Sequence, residues 1–299
     1  MLRRAILAAA DSPRIRGFVR RYGMRLGASR FVAGETLDQA VRTLRRLNEH
    51  GLRTNTTLLG EHVADRAAAE EVVRRYEEIL GRIAAEQLQT NVALKLTHLG
   101  VLIDEDLAYR NVERLVAEAA RLGNFVRIDM EESSLVDVTL TVYRRLREAG
   151  HDNVGTVLQS YLYRSERDLE SLLPLKPNLR IVKGAYREPP DVAYPRKAEV
   201  DAAYRRLVEQ SVAGGGFTAV ATHDERLLEH AIGLGAGPNR LELQMLYGVR
   251  PQLQLDLVGR GQRVLVATPY GPDWYPYLMR RLAERPANLL FFVRNALRR

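Results

Sequence analysis

The sequence predicts an α/β protein, a distorted (β/α)8 barrel of the TIM type with an N-terminal helical region. Three observations lead there. The chain has 299 residues, more than most single cores carry yet ample for one large closed barrel. Beyond residue 90, short unbroken apolar runs alternate with amphipathic helical stretches, the mark of a parallel sheet buried on both faces. No low-complexity linker divides the chain, so residues 1–88, read as helices packing on the barrel, and residues 89–299, the barrel itself, form effectively one domain.

The elements follow in order. Residues 36–50 open on a threonine cap, carry Leu37, Val41, Leu44 and Leu47 on one helical face, and stop at Gly51. Residues 65–88 repeat that pattern at greater length. Strands are then expected at 92–96, 125–129, 154–159, 179–183, 217–222, 241–246 and 264–267. The run at 289–293 reads equally as an eighth strand or a buried terminal helix.

Composition narrows the function. With no cysteine, a disulfide framework, a thiolate metal site, an iron–sulfur cluster and a cysteine nucleophile are excluded. The longest early apolar run, residues 5–10, is too short for a signal-peptide core, and no stretch approaches a membrane span, so a cytoplasmic protein is expected. The net charge of +8 is spread over arginine doublets lying beside acids, which reads as solvated helix faces rather than a nucleic-acid surface. Only Lys95, Lys176, Lys183 and Lys197 are lysines among 45 basic residues. A lysine in so arginine-rich a chain suggests a task for a compact, titratable charge.

Chemistry in such barrels gathers where strands end. The apolar runs close on Lys95, Asp129, Gln159, Lys183, the pair Thr222–His223, and Gln244, each step long enough for one βα unit. Two lysines, two carboxamides, an aspartate and a histidine converging on one mouth make a binding site; no metal-ligand pattern accompanies them. After Lys183, Gly184 permits close backbone approach and Tyr186 offers an aromatic wall. Arg280 and Arg281 form the pair expected to clamp a carboxylate or phosphate.

The succession Gln159-Ser-Tyr, Arg180-Ile-Val-Lys-Gly-Ala-Tyr186, Ala221-Thr-His-Asp, Leu243-Gln-Met-Leu-Tyr-Gly, Pro269-Tyr-Gly and Tyr277-Leu-Met-Arg-Arg-Leu-Ala-Glu284 resembles the proline dehydrogenase family, in its short monofunctional bacterial form. That resemblance covers residue 90 to the C-terminus. It implies non-covalent FAD, oxidation of L-proline to Δ1-pyrroline-5-carboxylate as the first step of proline catabolism, and electron transfer to a membrane quinone. Peripheral contact with the inner face of the plasma membrane would follow from such an acceptor.

By motif match, Arg280 and Arg281 would clamp the proline carboxylate, Lys95 would add positive charge, and Asp129 would hold that cluster in position. Tyr186, Leu246 and Tyr277 would enclose the pyrrolidine ring. Gln159, Arg180, Val182, Lys183, Gly184, Ala185, Thr222 and His223 fall on flavin-contacting positions, and Glu284 on one near the ribityl and adenosine side. The family's usual tyrosine before the Pro-Tyr-Gly turn is replaced by Ala267, which opens the pocket toward a hydroxyproline-preferring variant. Two rivals come from other classes: a barrel aldolase forming a Schiff base through Lys183, and a basic nucleic-acid binder, which the lack of aromatic stacking platforms disfavours.

Overall fold

The computed structural model describes residues 12–284. Helix α1 (Pro13–Leu26) begins with a proline in its first turn, and α2 (Leu37–Glu49) is capped by Thr36, whose hydroxyl accepts from the Gln39 amide at 3.4 Å. Eight strands follow: β1 (Arg53–Leu58), β2 (Thr90–Leu94), β3 (Val126–Ile128), β4 (Val154–Gln159), β5 (Asn178–Val182), β6 (Phe217–Ala221), β7 (Leu241–Leu246) and β8 (Val264–Tyr270). They pair in chain order, all parallel, and the barrel closes where β1 meets β8. Each strand leads to one helix: α3 (Arg66–Ala85), α4 (Glu105–Arg121), α5 (Val136–Glu148), α6 (Ser165–Leu172), α7 (Lys197–Ala213), α8 (Glu225–Gly233), α9 (Pro251–Gly259) and α10 (Trp274–Glu284).

The boundary expected at residue 88 is corrected. The barrel begins at Arg53, so β1 and α3 belong to it and only α1 and α2 precede it. β1 escapes an apolar-run criterion because its sequence, RTNTTL, buries polar side chains. The Thr54 hydroxyl pairs with that of Thr90 at 2.6 Å, and Thr56 donates to the Thr268 carbonyl at 3.1 Å, so hydroxyls stand where methyls usually pack. With β1 counted, Val264–Tyr270 is the eighth strand; residues 289–293 lie outside the described residues.

Two surfaces of the barrel differ in character. Outward residues such as Val92, Leu94, Ile128 and Ile181 pack against helix side chains including Val73, Leu80, Val112 and Leu115 in one continuous apolar cluster. The interior is polar instead. Arg180 on β5 reaches Gln244 on β7, Asn55 on β1 and Asp129 beyond β3, which is feasible only through the barrel's axis. Parallel register carries that inward face to Val157 and Ala219 beside Arg180, to Asn91 and Ala267 beside Asn55, and to Leu246 beside Ala267.

A second apolar cluster seats α10 over the C-terminal mouth. Trp274, Tyr275, Leu278 and Leu282 recur along its buried face and meet Val19, Phe31, Leu59 and Val249. The Trp274 indole N–H donates to Glu35 at 2.8 Å. Residues 277, 280 and 281 thereby share the remaining side of the helix, spaced i, i+3, i+4.

Candidate active site

Glu61, in the loop after β1, organises the C-terminal mouth. Its Oε2 accepts from Lys95 Nζ at 2.5 Å and its Oε1 from Arg280 Nη1 at 2.8 Å. One carboxylate thus joins the end of β2 to α10. Burial alone would raise the Glu61 pKa, but the charges and hydrogen bonds of Lys95 and Arg280 outweigh it and hold the group down to about 2. Beneath the loop, burial and then Lys95 push His98 down to about 4, so a neutral imidazole supports the chain there. A Cβ at Gly60 would stand 2.4 Å from His98 Nε2, which leaves glycine as the fitting residue.

Asp129 does not hold that cluster, contrary to the sequence expectation. It accepts from Arg180 Nη1 at 2.6 Å, and Glu61 performs the bridging instead. Reach decides the exchange: Glu61, in the loop after β1, stands between Lys95 and Arg280, whereas Arg180 extends across the barrel to Asp129. Beside it, buried Glu131 accepts from the Thr97 amide at 3.1 Å and its hydroxyl at 2.6 Å, with its pKa raised by burial.

Three of the expected ring-enclosing residues are partly exposed at this mouth: Tyr186, Leu246 and Tyr277. Burial raises the Tyr186 hydroxyl pKa, with the negative field of Glu131, Glu61 and Asp129 adding to it, so the phenol remains a hydrogen-bond donor. The Arg281 guanidinium lies 5.2 Å from the centroid of the Tyr277 ring, held as a cation over an aromatic face. Ala267, level with Leu246 and Asn55, faces the interior and is partly exposed.

The remaining candidates line the β4–β6 side. Gln159 donates through Nε2 to the Glu131 carbonyl at 3.0 Å, while its buried Oε1 has no hydrogen-bond partner among the described residues. Val182 stands level with Gln159 and shares the inward face with Arg180. Gly184 has φ +108°, and a Cβ there would enter the Tyr161 ring at 2.3 Å, so both conformation and packing require glycine. Ala185 is exposed. Thr222 is buried and its hydroxyl accepts from the Asp224 amide at 3.2 Å. His223 Nε2 accepts the Leu246 amide proton at 3.0 Å, which fixes the neutral tautomer with hydrogen on Nδ1. Glu284 ends α10, and its side chain lies outside the described residues.

Lys183 is placed outside the inward set. Its Nζ donates to Asp201 on α7 at 2.5 Å and to Asp224, the cap of α8, at 3.3 Å. Lys197 reaches the same two carboxylates. An ammonium shared between two carboxylates lacks the free lone pair a Schiff-base nucleophile needs, so the aldolase reading finds no support.

Glu61, Glu131 and Asn55 are the members of this site that the sequence does not announce. A signal existed only for Glu61: it follows a strand that must be found first. Among the described residues no cluster of acids and histidines is arranged to hold a metal, and no described helix is long and apolar enough to cross a membrane.

Residues 40–294 match the family model for proline dehydrogenase. Over its full length the chain is 40% identical to proline dehydrogenase 1 of Bacillus subtilis, covering all of that protein, and 43% identical to the proline dehydrogenase of Deinococcus radiodurans, covering 98% of it. Among solved structures it is similar to the proline utilization A protein of Bdellovibrio bacteriovorus inactivated by N-propargylglycine, with a TM-score of 0.80 at 26% identity. That match covers 89% of this chain and 33% of the longer protein.

Proposed function

The chain belongs to the proline dehydrogenase family, and from that membership we propose that it oxidises L-proline to Δ1-pyrroline-5-carboxylate with FAD, passing the electrons to a membrane quinone. The observation carrying the proposal is the convergence of Lys95, Arg280 and Arg281 on one mouth, with Tyr186 and Tyr277 beside them. A carboxylate entering there meets charge-assisted donors, and its pyrrolidine ring meets aromatic and aliphatic walls. Of the proton-bearing groups at this mouth, the Tyr186 hydroxyl stays neutral and able to donate.

Several features suit FAD. The buried, unpartnered Gln159 Oε1 is an acceptor waiting for an N–H such as a flavin ring supplies. Arg180, on the inward face, supplies positive charge. Gln159, Arg180, Val182, Lys183, Gly184, Ala185, Thr222, His223 and Glu284 would hold the cofactor. When bound, FAD accepts the two electrons lost from the carbon beside the ring nitrogen, and nearby cations favour its reduced anionic form. The chain's own residues then orient the ring by its distal carboxylate and exclude water beneath α10.

Purified protein should carry a flavin spectrum that proline bleaches under anaerobic conditions and a quinone restores. A colourless protein, or a flavin that proline leaves oxidised, would overturn the reading. Ala267 favours a second substrate. Its inward, partly exposed position leaves room where an aromatic side chain would close the pocket, so trans-4-hydroxyproline should also bleach the flavin.

A further inference from the structure

At the opposite, N-terminal mouth the strand starts and neighbouring helix ends line a half-open pocket of about 520 Å3, within the roughly 300–1,000 Å3 of small-molecule sites. Its lining includes Arg53 on β1, Arg127 on β3, Arg263 before β8 and Glu242 on β7. The single carboxylate is already engaged: Glu242 accepts from Arg263 Nε at 2.7 Å and from Gln244 Nε2 at 2.7 Å.

Neither of the other two arginines forms an ion pair among the described residues, although the charge of Glu242 reaches both and that of Asp129 reaches Arg127. Arg127 is 3% exposed, and its contacts are neutral: the Thr156 carbonyl at 2.9 Å, the Asn178 carbonyl at 2.7 Å and the Asn178 side chain at 2.5 Å. Gly155 makes room for this guanidinium, since a Cβ there would stand 2.4 Å from Arg127 Nη1. Phe125 and Phe217 back Arg127 and Arg263 with their rings, 5.0 and 4.9 Å from centroid to guanidinium carbon. Those stacks fix two planar forks at the edge of a polar chamber.

We propose that this chamber is a second ligand site, built for a small dianion carrying two carboxylates or a phosphate. Three guanidiniums, Arg53, Arg127 and Arg263, stand around the one carboxylate of Glu242 in the lining and leave it two positive charges in excess, the charge of such a ligand; carbonyls repay little of the desolvation of a buried guanidinium. Burial, and then Arg180, push Arg127 down to about 9 against the opposing pull of Glu242 and Asp129, while burial and then Arg263 lower Arg53 against that of Glu242. A guanidinium keeps its proton at neutral pH, so both effects amount to an unmet demand for an anion. Asn178 and Asn91, lining the same chamber, supply amide donors once the arginines have drawn the anion in. The site lies at the far end of the barrel from Lys95 and Arg280 and does not depend on the reaction proposed there.

The test is calorimetry and thermal unfolding of the full flavoprotein with succinate and, separately, inorganic phosphate, each against chloride at equal ionic strength. At least one dianion should bind with a Kd near or below about 1 mM and raise Tm, and the two arms identify which class fits. Arg53→Gln, at the partly exposed rim, should weaken that binding tenfold or more; Arg263→Gln should weaken it similarly. Arg280→Met should leave it unchanged. No stabilisation beyond chloride, affinity retained in Arg53→Gln, or affinity lost in Arg280→Met would each overturn the proposal.

Discussion

At the C-terminal mouth Lys95 and Arg280 share Glu61, Arg180 has Asp129, and Lys183 lies between Asp201 and Asp224; at the N-terminal mouth the one carboxylate, Glu242, pairs with Arg263, and Arg53 and Arg127 feel its charge without an ion pair, Arg127 donating to carbonyls and an amide instead. The same residue types are thus balanced at one end and left in excess at the other. Pairing at the C-terminal mouth keeps each cation in a fixed place, so the substrate carboxylate proposed to bind there would enter a site whose geometry is already set. Excess at the far end marks a position where the chain alone does not complete its electrostatics. Between the two runs one hydrogen-bonded series, from Arg263 through Glu242, Gln244 and Arg180 to Asp129.

Breaking that series at its centre should have the largest effect. Arg180→Met leaves half-buried Asp129 and the buried Gln244 carbonyl oxygen without their donor, at a cost of about 3 kcal/mol in denaturant unfolding. Arg53→Gln, which removes an unmatched cation, should cost less than about 0.5 kcal/mol in dianion-free buffer. Similar losses in the two variants would show that pairing does not separate the mouths.

How much of this is legible in sequence depends on what each strand buries. β2 through β8 declare themselves because their outward residues are apolar and helices alternate between them. β1 does not, since Thr54 and Thr56 put hydroxyls on the outward face where its neighbours carry apolar side chains, and inward-facing Asn55 offers a carboxamide to the polar interior. Losing β1 hides Glu61 as well, and Asp129 then stands in for it as the nearest visible acid. Lys95 and Gln159 are legible because inward parity at a strand end places them at the mouth, whereas Arg180, inside β5, is named only by the motif it belongs to. Lys183 is legible as a strand-end lysine, yet its parity differs from that of Arg180 and Val182, and only the structure reveals its carboxylates on α7 and α8.

A pH titration sharpens the comparison through the support beneath Glu61. Folding lowers the His98 pKa from its ordinary 6.5 to about 4, so the unfolded chain binds this proton first. Its stability contribution is complete above pH 6.5 and is lost as pH falls toward 4, by about 3 kcal/mol. Glu61 acts in the same direction lower down: its stabilisation is present above its ordinary 4.5 and disappears as pH falls toward 2. Unfolding free energy measured from pH 7 to 4 should fall, and His98→Gln should flatten that slope by up to one proton. An unaltered slope would remove His98 from the account.

Arg280→Met tests the balanced end directly. Glu61 keeps Lys95, so the fold and flavin content should survive, while the substrate carboxylate loses a charge-assisted donor. That loss is worth about 1.5–3 kcal/mol, or roughly 10–150-fold in KM for proline. Steady-state kinetics beside flavin absorbance separates the two quantities. Unchanged KM would mean that Arg280 serves Glu61 alone.

The smallest effect concerns Ala267, where the wall of the balanced mouth is thin. Its backbone carbonyl accepts the Tyr247 amide at 2.9 Å and its methyl faces inward at the level of Leu246, so a larger side chain would project into the chamber rather than into the helices. Ala267→Tyr should add an aromatic surface against the proline ring and crowd a ring hydroxyl. The expected outcome is a shift of about tenfold in the ratio of kcat/KM for proline over trans-4-hydroxyproline, roughly 1.4 kcal/mol. Tyr270 does not compensate for the missing ring in the parent, because it is 3% exposed and belongs to the outer apolar cluster. Overpacking has a different signature, with both substrates weakened together and the ratio unmoved. If the ratio and both activities stay at parent values, position 267 does not meet the substrate, and selectivity must be sought on Leu246 and Tyr277 instead.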